Sequence, residues 1–120
     1  MKDIKARSVI WVGDSLDQVK RFPAEVRKDI GAALYDAQKG QTPPGAKPFK
    51  GVGSGVFEIV TRFDTNTYRT LYAVQVGESL YVLHAFQKKS PKGIKTAGKD
   101  VNLIKQRYKR AVEIGKEKTQ

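Results

Sequence analysis

The chain has no cysteine, one histidine, one tryptophan and one methionine in 120 residues. Without cysteine there is no disulfide framework and no thiolate chemistry, which suits a reducing compartment such as the cytosol. One histidine and scattered carboxylates give no convincing ligand set for a metal, so neither a metal nor any other cofactor is expected. A nucleophile elbow is missing as well. No apolar stretch approaches the roughly 20 residues that cross a bilayer. The opening Met-Lys-Asp-Ile-Lys-Ala-Arg also lacks the apolar run of a signal peptide. These absences predict a soluble, cytoplasmic protein without a membrane partner.

Acidic residues are scarce beside basic ones. Lys and Arg total 23 against 12 Asp and Glu, a formal charge of +11. Such an excess favours a polyanionic partner, and attraction to phosphates follows from charge alone, without sequence readout. Hydrophobic residues make up 39% of the chain, enough for a globular core. Its length suits one domain spanning 1–120.

Ile4 to Val12 reads as a first strand closed at Gly13-Asp14, with Trp11 covering one side of the core. Asp14 or Ser15 caps a short helix, Ser15 and Gln18 having capping-box spacing, and that helix stops near Phe22-Pro23. Val26, Ile30, Ala33, Leu34 and Ala37 form the apolar stripe of a second helix, Pro23 to Lys39, ended by Gly40. Gln41 to Gly55, with three prolines and four glycines, reads as a basic loop. Strands follow over Val56–Phe63, Tyr68–Val76 and Leu80–Gln87, with short turns that make an antiparallel meander. Thr96 caps a last helix, Ala97 to Lys118, whose inner side carries Val101, Ile104, Tyr108, Ala111 or Val112, and Gly115. The expected class is α+β, in the order β-α-α-β-β-β-α. It has a small, mainly antiparallel sheet, helices on one face and the other face partly free.

That order resembles the RelE/ParE superfamily of bacterial toxins, and within it the HigB-like, phage Gp49-like branch. The residues that carry the likeness are Gly55-Val56-Phe57-Glu58-Ile59, Thr67-Tyr68-Arg69-Thr70-Leu71-Tyr72 and Tyr81-Val82-Leu83-His84-Ala85-Phe86-Gln87-Lys88-Lys89-Ser90-Pro91. The resemblance implies a RelE-like fold and a toxin of a type II toxin–antitoxin system. HigB-like members cut mRNA in the ribosomal A site and are silenced by a cognate antitoxin, often a helix-turn-helix protein. The implied partners are therefore antitoxin, ribosome and mRNA. The superfamily also holds gyrase inhibitors on the same fold, and a plain basic nucleic-acid-binding module is a third reading.

Metal-independent RNA cleavage needs a proton taken from the ribose 2′-OH, fixed positive charge at the phosphorane, and a proton for the leaving 5′-oxygen. Arg69 matches the arginine of the family's middle strand and suits phosphate stabilisation, its guanidinium being always charged. A surface salt bridge to Glu58 across the sheet is its other reading. Lys88 and Lys89 extend the last strand, so one points to each face, and either serves as base or acid or only protects a strand edge. Lys88 shares parity with His84 and Phe86, and Lys89 with Leu83 and Ala85. Histidine is the residue type whose unperturbed pKa lies near neutral, which suits a catalytic group, yet the apolar flanks of His84 suit a packed sheet residue. Arg62 is a second arginine candidate for RNA, although the family places an arginine nearer the glutamate. Lys92 and Lys95 would steer RNA by charge. Tyr68 and Tyr72 alternate with Arg69 and belong to the core, as does Tyr108.

Overall fold

The computed structural model describes residues 6–88 and 97–118. Its elements run β1 (Val9–Trp11), α1 (Ser15–Lys20), α2 (Ala24–Gln38), β2 (Ala46–Pro48), β3 (Val56–Phe63), β4 (Asn66–Val76), β5 (Ser79–Lys88) and α3 (Gly98–Lys118). They form one five-stranded sheet ordered β1-β5-β4-β3-β2. The pair β1–β5 is parallel and the other three are antiparallel, so the fold is α+β as the patterning predicts. Among the described residues, no helix is long and apolar enough to cross a membrane.

The helices lie on both faces, which corrects the expectation of helices on one. Helices α1 and α2 and the link between them set Val19, Phe22, Val26, Ile30 and Leu34 against Ile59, Tyr68, Tyr72, Leu80 and Val82. On the other side Ile104 and Ala111 of α3 meet Val56, Leu71, Ala73, Tyr81 and Leu83. The reason is already in β5. Its run from Leu80 to Ala85 is buried throughout, and a strand apolar on both sides needs cover on both.

A second difference lies in the loop. Ala46–Pro48 adds an edge strand to β3, Lys47 standing opposite Glu58. Three residues including a proline are too few and too irregular to show a period of two. The β3–β4 turn closes on Asp64 and Thr65 alone, both at positive φ of 50° and 64°, the conformation of a tight two-residue hairpin. Ser15 does not act as a cap. It is buried within α1, and its hydroxyl donates to the Val82 carbonyl oxygen at 3.1 Å. Gln18 instead donates to the Asp14 carboxylate.

A register shift in β5 decides which side chains reach α3. Leu71 stands opposite His84 but Tyr72 opposite Val82, so Leu83 is an extra residue, a β-bulge. Leu83 and His84 both face α3, and from there the alternation is inverted. Ala85 packs toward α1 and α2, while Phe86 packs toward α3. The parity grouping of Lys88 with His84 and Phe86 holds, whereas that of Leu83 with Ala85 does not.

Candidate functional site

The α3 side of the sheet holds the site candidates. Glu58 pairs with Leu71, Val60 with Arg69, and Arg62 with Thr67 across β3 and β4. Arg69 pairs with Phe86, and Thr67 with Lys88, across β4 and β5. Directly opposed residues share a face. Lys47, Glu58, Arg62, Arg69 and Lys88 therefore share the face on which Leu71 and Phe86 meet α3.

At the centre of this group is a buried ion pair. Arg69 Nη1 lies 3.0 Å from Glu58 Oε1, with side chains only 8% and 3% exposed. Lys47 Nζ approaches the same oxygen at 3.8 Å from a side chain that is 60% exposed. The Glu58–Arg69 contact expected as a surface alternative is thus made, but inside the protein. Two of its atoms, Glu58 Oε2 and Arg69 Nε, are buried without a hydrogen-bond partner among the described residues. Orphaned buried polar atoms are uncommon and concentrate where ligands or strain belong.

Lys88 ends β5 as the diagonal neighbour of Arg69. Burial, and then the Arg69 guanidinium, push its ammonium below the ordinary lysine range, against the pull of Glu58 and Asp100. A lysine moved in this direction by desolvation and a neighbouring cation becomes more able to accept a proton near neutrality.

His84 is buried and held at both ring nitrogens. Nε2 lies 2.9 Å from Asp100 Oδ1 and Nδ1 lies 3.4 Å from Arg107 Nη1. Arginine only donates, so Nδ1 accepts, and the ring proton sits on Nε2 facing the carboxylate. His84 also stacks on Phe86 at 5.1 Å between ring centroids. Arg107 donates further to the Leu83 carbonyl and to Asp14 Oδ1, at 3.0 and 2.6 Å. The hydrogen bond from Arg107, and after it that from Gln18, lower the pKa of Asp14. Gly13 makes room for them: its φ is +59°, and a Cβ there would sit 2.7 Å from the Arg107 guanidinium. The chain Asp14–Arg107–His84–Asp100 thus ties β5 to α3 and to the start of α1.

Of the candidate residues, the fold brings Arg69 and Lys88 together and sets His84 beside them as a structural neighbour. Arg62 is exposed near the end of β3. Lys89, Lys92 and Lys95, and the Thr96 cap, lie outside the described residues. Tyr68 and Tyr72 point into the other core, where Phe22 and Phe57 meet them at 4.9 and 5.6 Å. Sequence reasoning missed Lys47, Asp100 and Arg107. For the last two a signal existed: they stand four residues before and three after Ile104, so charge appears on the buried stripe of α3. Among the described residues, no three His, Asp or Glu side chains gather in a way that could hold a metal ion.

The family model described as phage derived protein Gp49-like (DUF891) matches residues 17–109. The chain belongs to this Gp49-like family. No curated protein and no solved structure matches it. The Gp49-like match runs from α1 into α3, so Lys47, Glu58, Arg69, His84, Lys88, Asp100 and Arg107 all fall within it. Asp14, the outer end of the hydrogen-bonded chain, falls just before it.

Proposed function

We propose that this Gp49-like protein is the toxin of a type II toxin–antitoxin system, of the HigB-like branch of the RelE/ParE superfamily. In this reading it is a ribosome-dependent, metal-independent mRNA endoribonuclease that stops translation in the cytoplasm. A cognate antitoxin, a helix-turn-helix protein, would silence it. The observation that carries the reading is Lys88 beside Arg69 on one sheet face, the lysine shifted toward neutrality by burial and by that arginine. A gyrase inhibitor needs no such pair, and a nucleic-acid-binding module needs only exposed cations.

The roles follow from what the reaction demands. Lys88, in its neutral form, takes the proton from the ribose 2′-OH. Arg69 stabilises the negative charge of the phosphorane. The leaving 5′-oxygen collects a proton from solvent, giving a 2′,3′-cyclic phosphate and a 5′-hydroxyl. His84 acts through position, holding the β5 bulge against α3 beside Phe86.

The test is induction in growing cells with mapping of transcript 5′ ends. Cuts within translated codons that disappear in Lys88→Ala and Arg69→Ala proteins are expected. Growth arrest with intact mRNA and broken DNA would overturn the assignment in favour of gyrase inhibition. A small helix-turn-helix protein encoded next to the chain is the expected genomic setting.

A further inference from the structure

The proposed chemistry uses Arg69 and Lys88 and leaves Lys47 and Glu58 without a task. Lys47 and Arg69 approach one and the same carboxylate oxygen, Glu58 Oε1, at 3.8 and 3.0 Å. Their cationic nitrogens are therefore no further apart than those two distances laid end to end, about one step between neighbouring phosphates of a single strand. The two cations differ sharply in depth: the Lys47 side chain is 60% exposed and that of Arg69 8%. A strand arriving from the β2 edge meets Lys47 first. Among the described residues, Arg69 Nε has no hydrogen-bond partner, a further donor within the same group.

We propose that Lys47 binds the RNA phosphate next to the one held by Arg69, with Glu58 as the shared counterion that sets the spacing of the two cations. The RNA then crosses the strands from β2 toward β5, and Lys88 stands at the far end of the track. This inference rests on the ribonuclease reading and adds a positioning residue to it. The contact between Lys47 and Glu58 is a partly exposed ion pair of little net worth, so its ammonium turns to a phosphate at small cost. Arg69 stays with the buried carboxylate and supplies its remaining donors. Glu58 thus orders the cations without touching the RNA.

The experiment uses a short single-stranded RNA made uncleavable by 2′-O-methyl groups, with affinity followed by fluorescence anisotropy over a series of salt concentrations. Each phosphate neutralised on a single strand contributes about 0.7 to the slope of log affinity against log salt. Lys47→Ala is expected to weaken binding severalfold and lower the slope by about 0.7. Lys28→Ala, at an exposed position on α2 across the sheet, leaves both unchanged. Lys47→Arg restores the slope. In ribosome-programmed cleavage Lys47→Ala raises KM with little change in kcat. If Lys47→Ala matches the Lys28→Ala control, the track is wrong while the ribonuclease reading stands. If the parent protein neither binds the RNA nor cuts programmed mRNA, the ribonuclease reading itself is wrong.

Discussion

At Lys88 the position of one ammonium decides whether the sheet face can do acid–base work. Its environment lowers the pKa, so more of the neutral form is present near neutrality than on an exposed lysine. As the proposed base it acts above that pKa, so the cleavage rate is expected to rise with pH to an inflection below that of an ordinary lysine. Lys88→Arg keeps the charge and removes the titration. Single-turnover cleavage by that variant is expected to fall by about 10²-fold or more with the rising limb gone, while RNA affinity holds. Glu58 tells the complementary story. Removing it leaves the buried Arg69 cation unpaired, and Glu58→Ala is expected to cost about 3–5 kcal/mol in denaturant unfolding. An unchanged unfolding midpoint would show that the pair is not buried as described. Asp14 provides a milder, pH-dependent case. Its folded pKa lies below its unfolded value of 3.8, so its contribution to stability is full above that value and is lost as pH falls through the folded one. Thermal unfolding of Asp14→Asn should therefore fall less steeply below that pH than unfolding of the parent. The effect is small because the Asp14 side chain is 49% exposed.

Among the elements, α3 is the one whose role changed most between sequence and structure. Its apolar stripe was legible, and Ile104, Ala111 and Gly115 are buried on it. What the stripe alone does not say is which face of the sheet receives it, since periodicity reports an inner side without naming its partner. Gly115 marks how near α3 comes: a Cβ there would lie 3.1 Å from Val76 Cγ1 and 3.6 Å from the Tyr81 hydroxyl. Ile104→Ala removes a fully buried side chain from this contact and is expected to cost about 2–5 kcal/mol in chemical denaturation. The strands β3, β4 and β5 were readable because β-branched and aromatic runs alternate with turn residues. Strand β2 was not, because its pairing is set by Glu58 and Ile59 opposite it rather than by its own residues. The site followed the same division. Arg69 and Lys88 stood out as charges on strands, but Lys47 was hidden in a glycine- and proline-rich loop until the register put it beside Glu58.

For the molecule as a whole, the two faces of the sheet have different duties. One is sealed by α1 and α2 over an aromatic and aliphatic core. The other is shared between α3 and the row of charges running from Lys47 to Lys88. A net charge of +11 favours a polyanionic partner, and in the proposed function the row would give that attraction a direction. The bulge at Leu83 and His84 acts on this arrangement as a change of phase. Before it, the odd-numbered residues of β5 meet α3, and after it the even-numbered ones do. Loss of the extra residue Leu83 would restore plain alternation with the Leu71–His84 and Arg69–Phe86 pairs kept and Lys88 still beside Arg69, whereas loss of a residue between His84 and Lys88 would turn Lys88 to the side of α1 and α2. The proposed reactive surface thus tolerates a lost codon at the bulge but not one just beyond it, where the ladder has no spare residue to give up.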